Sequence, residues 1–186
     1  MRVIGGRSRG RRLRARLPGR VRPTSDRVRE AVFDILGSMG GVAGLTVADL
    51  FCGSGALGIE ALSRGAASVV FVDEDPAALA AVRANLEATG LAGEHCRCVR
   101  GVLPGWVARA ARVDVAFCDP PYSYTAWEEL LAALPAQVAV LESAGPVAVP
   151  GGWTVARTRR YGGTLVTVLH AAAPPDPVPG PQAGGS

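Results

Sequence analysis

Asp49-Leu50-Phe51-Cys52-Gly53-Ser54-Gly55-Ala56-Leu57-Gly58 is the stretch on which the fold of this chain turns. It completes a largely apolar run over residues 46–51, broken by Asp49, and opens a helical pattern over 56–64, so a buried strand turns into a helix here. Glycines at such a turn let the backbone pass close to a ligand, and the first N–H groups of the helix are free to meet an anionic one. Taken literally, Gly53-x-Gly55-x-x-Gly58 is the dinucleotide fingerprint. Asp73, 20 residues beyond Gly53, ends the second strand, where an acid would hold ribose hydroxyls, with Glu74 beside it as a substitute. The loop alone fits a nicotinamide dehydrogenase and an S-adenosylmethionine enzyme equally, because both bind an adenosine ribose. Asp49 tilts the balance, since a carboxylate there would attract the ammonium group of the second cofactor and repel a pyrophosphate. Asp49, Phe51, Cys52, Gly53, Ser54, Gly55, Asp73 and Glu74 are therefore the candidate cofactor contacts.

Working outward, strand and helix patterns alternate: helix 25–36, strand 46–51, helix 56–64, strand 68–73, helix 76–89, strand 96–100, a short helix 104–111, strand 113–118, helix 125–134 and strand 137–141. Strands 153–159 and 164–170 stand close enough to form an antiparallel pair. Repeated βα units with continuous apolar strands imply an α/β fold, a parallel sheet with helices on both faces. Residues 1–22, with Gly5, Gly6 and Gly10, suit a small hairpin. The expected organisation is an arginine-rich extension over 1–24, a main domain over 25–170 and a Pro/Gly-rich tail over 171–186, read as disordered.

A chain of 186 residues has the size of a single domain, roughly 100–150 residues or somewhat more. With 48% hydrophobic and 19% charged residues it has enough apolar material for a core. No apolar run approaches a membrane span, and arginines stand where a signal peptide needs an apolar segment, so a cytoplasmic protein is expected. The total charge of +4 hides an asymmetry: residues 1–30 hold eleven arginines and two acids, or +9, leaving −5 for the rest, and there is no lysine. An arginine-only composition fits a GC-rich genome, yet guanidinium forks also suit phosphate. A block this basic, without an amphipathic apolar face, points to nucleic acid rather than a membrane surface. Arg7, Arg9, Arg11, Arg12, Arg22 and Arg27 are the candidate RNA contacts. Cys52, Cys96, Cys98 and Cys118, with His95 and His170, lack the ligand spacing of a zinc site; Cys96 and Cys98 would share one face of a strand as small core residues, and no metal is expected.

A second motif, Asp119-Pro120-Pro121-Tyr122, follows the fourth strand of the main domain, at the carboxyl edge where open α/β sheets bind ligands. The prolines fix the backbone and remove two N–H donors, so the loop offers a carboxylate, rigid carbonyls and an aromatic face. That set suits a flat base with an exocyclic amine. Asp119 and the Pro120 carbonyl accept its two hydrogens, and Tyr122 stacks on the ring.

With these motifs, the segment Arg22-Pro23-Thr24-Ser25-Asp26-Arg27-Val28-Arg29-Glu30, the continuation Glu60-Ala61-Leu62-Ser63-Arg64-Gly65-Ala66 and Arg159-Arg160-Tyr161-Gly162-Gly163-Thr164 make the chain resemble the RsmD-type small-subunit (16S) rRNA guanine-N2 methyltransferases over about residues 1–170. The resemblance implies a class I S-adenosylmethionine-dependent methyltransferase fold, Rossmann-like, with a small N-terminal arginine-rich hairpin and helix extension. It implies S-adenosylmethionine as methyl donor, no metal, and one guanine of small-subunit rRNA as acceptor, naked or within an assembling particle, by a monomeric enzyme. Asp119, Pro120 and Tyr122 become the catalytic residues. Phenylalanine at position 51 is usual in that family. An Asn or Asp commonly follows its third strand and reaches the adenine, whereas Gly101 stands in that place here. Two rivals remain open: an adenine-N6 or cytosine-N4 methyltransferase, and an RNA-binding module with a vestigial cofactor pocket.

Overall fold

The computed structural model describes residues 1–14 and 26–172. Arg22, residue 25 at the start of the expected first helix and residues 173–186 of the Pro/Gly tail lie outside the described residues. The ordered elements are α1 (Asp26–Gly37), β1 (Thr46–Leu50), α2 (Ala56–Ser63), β2 (Ser68–Asp73), α3 (Pro76–Thr89), β3 (Cys96–Arg100), β4 (Val113–Cys118), α4 (Trp127–Ala133), β5 (Ala136–Ser143), β6 (Trp153–Tyr161) and β7 (Thr164–Ala171).

Seven strands form one sheet in the order β3-β2-β1-β4-β5-β7-β6. The first five run parallel, and β7 lies antiparallel to both β5 and β6. In β1, residues 47–50 are all buried because both faces of the strand are covered, so Val47, Ala48 and Leu50 are apolar and Asp49 is the one polar exception. On one face α1, α2 and α3 pack over Val47, Val69, Phe71, Val115, Phe117 and Val140. On the other, α4 and a single 3-10 turn at Val107–Arg109 cover Ala48, Leu50, Ala116 and Leu141. Among the described residues no helix is long and apolar enough to cross a membrane.

Local chemistry sets the ends of the elements. Asp75 caps α3 by accepting from the Ala77 N–H at 2.8 Å, Pro76 occupies its first turn, and Gly90 closes it in a left-handed conformation. Gly58 permits a close helix–sheet approach: a Cβ there would stand 2.4 Å from Cε1 of Phe71 and 2.9 Å from Cγ1 of Val69.

Several expected elements are adjusted, among them the strand expected over 153–159, which runs on to Tyr161. The helix over 104–111 is only the Val107–Arg109 turn, since Pro104 and Gly105 leave too few helix-forming residues to nucleate more. The helix expected from 125 starts at Trp127. Strand β5 continues to Ser143, because β7 supplies partners up to Ser143↔Leu165.

Residues 1–14 form the expected hairpin, with an Arg2↔Arg12 bridge and a Val3 N–H to Arg11 carbonyl bond of 3.0 Å. It is not a free arm. Val3 and Leu13 join the core, and the Arg7 N–H donates to the Ser63 carbonyl at 2.8 Å. Ser8 donates to the Thr89 carbonyl. Ser63 and Thr89 end α2 and α3, so the turn of the hairpin docks towards the amino edge of the sheet, away from the glycine loop.

Candidate active site

The glycine loop leaves β1 through Phe51, a non-glycine residue at φ 57°. Left-handed backbone costs a bulky residue of order 1–3 kcal/mol and persists only where the surroundings impose it. Here they do. The Cys52 N–H donates to the Val72 carbonyl at 3.1 Å and the Gly55 N–H to the Cys52 carbonyl at 2.7 Å. The Phe51 ring meets Tyr124 edge-on at 4.9 Å, and Tyr124 meets Trp127 at 5.4 Å. Tyr124 and Trp127 were not singled out by sequence; the only signal was the repeated aromatic beyond Tyr122. Burial pushes the Tyr124 hydroxyl up to about 12, with Cys118 and Glu129 adding to the shift.

Two carboxylates hold this loop. Asp73 Oδ2 accepts from the Gly53 N–H at 2.9 Å, and its Oδ1 accepts from the Asp75 N–H at 3.0 Å. Each oxygen keeps a further lone pair for another donor. Asp49 Oδ2 accepts from the Gly58 N–H at 2.8 Å, at the start of α2. Asp49 is buried, and burial pushes its carboxyl well above the usual carboxylate range; the Gly58 N–H opposes this, while Asp119 and Asp73 reinforce it. Burial likewise raises the Cys52 and Cys118 thiols, with Asp49 adding to both. Glu74 is exposed and lends only its backbone carbonyl, to Arg100 Nε at 3.1 Å. Ser54 presents its carbonyl to Asn85 Nδ2 at 2.9 Å.

The Asp119-Pro120-Pro121-Tyr122 loop follows β4 directly, next to β1. Pro120 is buried, whereas Tyr122 is 56% exposed. The Tyr122 hydroxyl lies 3.0 Å from Thr164 Oγ1, which ties the loop to the β6–β7 turn. Glu142 is a further carboxyl that sequence reasoning passed over. Register pairs Cys118 with Leu141, which puts Glu142 beside Asp119. Burial raises its carboxyl well above the usual range; Asp119 and Asp49 reinforce the rise and Arg29 opposes it.

At Gly101 an added Cβ would stand 2.7 Å from Cδ1 of Trp106, so the indole occupies the space of any side chain there. Among the described residues no cluster of His, Cys, Asp and Glu could hold a metal ion. Cys96 and Cys98 pack against the core, as two residues apart in a strand should.

Among the described residues, the candidate RNA-binding arginines do not gather at this site. Arg7, Arg9, Arg11 and Arg12 are exposed on the hairpin, while Arg27 opens α1 beside β6. Arg29, two residues on, is wholly buried against Glu60, itself fully buried. Glu60 accepts from the Ile4 and Gly5 N–H groups and from Arg64 Nε. Arg29 also donates to the Arg2 carbonyl and to Asp26.

The chain is 40% identical over 136 residues to YlbH of Bacillus subtilis, covering 70% of this chain and 72% of that protein. It is 38% identical over 132 residues to ribosomal RNA small subunit methyltransferase D of Escherichia coli, covering 70% of this chain and 65% of that one. The chain thus spans about two thirds of the length of these relatives. The solved structure of yhhF from Escherichia coli superposes with a TM-score of 0.80 at 31% identity, over 94% of this chain and 99% of that one. The sheet order, the glycine loop and the Asp-Pro-Pro-Tyr loop belong to a class I methyltransferase fold. Residues 1–170 match the profile of the family described as Conserved hypothetical protein 95, the RsmD family, and the chain is a member of it.

Proposed function

We propose that this protein methylates the exocyclic N2 of a guanine in small-subunit ribosomal RNA, with S-adenosylmethionine as donor. The observation that carries the proposal is the Asp119-Pro120-Pro121-Tyr122 loop directly after β4, beside the carboxylates Asp49 and Asp73 of the neighbouring strands β1 and β2. The residues present fit a cationic cofactor: three carboxylates crowd one sheet edge, and a positive ligand relieves their mutual repulsion where a pyrophosphate would add to it. Asp49 with Phe51, Cys52, Gly53, Ser54 and Gly55 would hold the methionine end, and Asp73 would hold the ribose through its spare lone pairs. Bound there, S-adenosylmethionine supplies an electrophilic methyl group.

Guanine N2 is a poor nucleophile, because its lone pair is delocalised into the ring. Asp119 and the Pro120 carbonyl accept its two hydrogens, push density back onto nitrogen and orient it, so positioning and fixed electrostatics supply much of the rate. Tyr122 stacks on the base after it leaves the helix. As the new N–C bond formed, the sulfonium S–CH3 bond would break with S-adenosylhomocysteine as the leaving group; N2 would then be cationic and acidic, and Asp119 would take its proton. The relatives named as rRNA methyltransferases support RNA as the substrate.

The test is the acceptor atom. Purified protein with labelled cofactor should methylate a small-subunit rRNA transcript and yield N2-methylguanine on digestion. The same transcript with inosine at the modified position, which lacks the 2-amino group, should accept nothing there. Methyl transfer to that inosine, or N6-methyladenine or N4-methylcytosine in the digest, would overturn the N2 assignment.

A further inference from the structure

Strand β6 forms one edge of the sheet, with Arg157, Arg159 and Arg160 and no acid in its nine residues. An edge strand carries charge to block sheet extension, which either sign would achieve; arginine alone asks for more. Arg157, Arg159 and Tyr161 line one side of a groove whose other side is Arg27, Glu30 and Asp34 of α1. Its volume of about 400 Å³ is in the range of small-ligand sites. Every ion pair among the described residues involves Arg29 or Arg64. Arg27, Arg157 and Arg159 therefore keep their charge for an outside anion.

Direction matters as much as charge. Strands β5 and β6 are both antiparallel to β7, so β6 ends at the same carboxyl edge as β4. Tyr161 pairs with Thr164, which meets the Tyr122 hydroxyl. A strand rises about 3.3 Å per residue, so Arg159 and Arg157 stand roughly 7 and 13 Å down the strand from Tyr161. They form a line of cations leading away from the base-holding loop, spaced like successive phosphates of an extended strand. The hairpin docks through the far ends of α2 and α3.

We propose that the groove between α1 and β6 holds the single-stranded RNA segment next to the target nucleotide. Phosphates lie along β6 on Arg157 and Arg159 and at the start of α1 on Arg27, while the exposed Glu30 and Asp34 of the α1 wall repel phosphate and accept from base amino groups instead. The proposal rests on the RNA-methylation reading and adds where the substrate runs.

The experiment compares wild type with Arg157→Ala/Arg159→Ala, using a small-subunit rRNA transcript as probe. Affinity is measured across a salt series, methyl transfer as KM and kcat, and S-adenosylmethionine binding serves as the check on folding. Losing two phosphate contacts should make the slope of log affinity against log salt shallower by about 1.4, at about 0.7 per contact in single strands. The kinetic loss should fall on KM for RNA rather than on kcat. An unchanged slope and KM would overturn the proposal, and so would a wild type that binds no RNA. A defect seen only with assembled ribosomal particles would assign the groove to a protein partner instead. If the wild type binds the transcript but methylates nothing, the functional reading fails while the salt series still decides the groove.

Discussion

Replacing Glu60 by alanine should cost more stability than any other single change on the surface of α2 that faces the hairpin. Its side chain is fully buried and serves four donors: the Ile4 N–H at 2.8 Å, the Gly5 N–H at 2.7 Å, Arg64 Nε at 2.8 Å and, more distantly, Arg29 Nε at 3.7 Å. The variant leaves the Arg29 guanidinium, wholly buried, with Asp26 and the Arg2 carbonyl, and Asp26 is largely exposed. Breaking a buried pair by removing one partner costs about 3–5 kcal/mol, and an orphaned buried N–H about 1–3 kcal/mol. These losses share atoms and do not add, so about 4–5 kcal/mol is expected, a large part of the 5–15 kcal/mol that holds a typical domain. Glu60→Gln keeps one oxygen for an N–H and should lose distinctly less. Urea denaturation followed by circular dichroism measures the loss, and hydrogen exchange at Ile4 and Gly5 locates it. A Glu60→Ala loss under about 1 kcal/mol with an unchanged m-value would refute the reasoning, showing that desolvation of the carboxylate had cancelled its pairing.

Asp119→Ala should lower methyl transfer by at least the roughly 10²-fold typical of a lost preorganised partner, while cofactor binding measured by calorimetry persists; wild-type turnover would remove Asp119 from the mechanism. Gly58→Ala gains about 0.5–1 kcal/mol of helix propensity but drives a methyl to 2.4 Å from the buried Phe71 ring, an overpacking cost of about 1–3 kcal/mol, so Tm should fall; a rise would mean that the ring yields freely. Glu142→Gln should stabilise the protein increasingly as pH rises. The folded chain holds a proton on Glu142 that the unfolded chain releases near the ordinary value of 4.5, so wild type loses about 1.4 kcal/mol per pH unit above that value until the folded group ionises. A difference between the two proteins that stays constant from pH 4 to 8 would contradict this. Gly101→Asn meets the Trp106 indole and should lower Tm without strengthening cofactor binding; tighter binding would show that the indole moves aside.

The order of strands and helices was legible because strands such as β2 and β4 are largely apolar runs set between helical patterns. The glycine loop was legible because its chemistry is local: Gly53, Gly55 and Gly58 act within one turn, and Asp73 reaches Gly53 across adjacent strands. What stayed hidden depends on which side chains meet over long separations. Arg29 counts in the sequence as one of the eleven arginines of the basic residues 1–30, yet it turns inward to Glu60 on another helix. Nothing in a hydropathy pattern distinguishes a buried arginine from a solvated one until its partner is known. Tyr122 and Thr164 belong to different turns, and their contact depends on β7 being inserted between β5 and β6. The hairpin was legible as a hairpin; its docking place was not, because that depends on carbonyls at the ends of α2 and α3, and every residue carries one.

The burial of acids at the carboxyl edge follows from the topology. Asp49 and Glu142 stand on β1 and β5, and Asp119 directly follows β4 between them. Taken alone, such crowding is unfavourable: burial and mutual repulsion both push the Asp49 and Glu142 carboxyls towards their neutral forms. Only Arg29 opposes the shift at Glu142, and Arg29 is committed to Glu60 and to the backbone of the hairpin. The hairpin, the α1–α2 ion pair and the acidic edge are thus electrostatically linked through one guanidinium. A neutral or anionic ligand would leave this repulsion in place, whereas a positively charged one lowers it wherever it approaches Asp49. That asymmetry, more than the glycine spacing, separates a sulfonium cofactor from a dinucleotide at this edge.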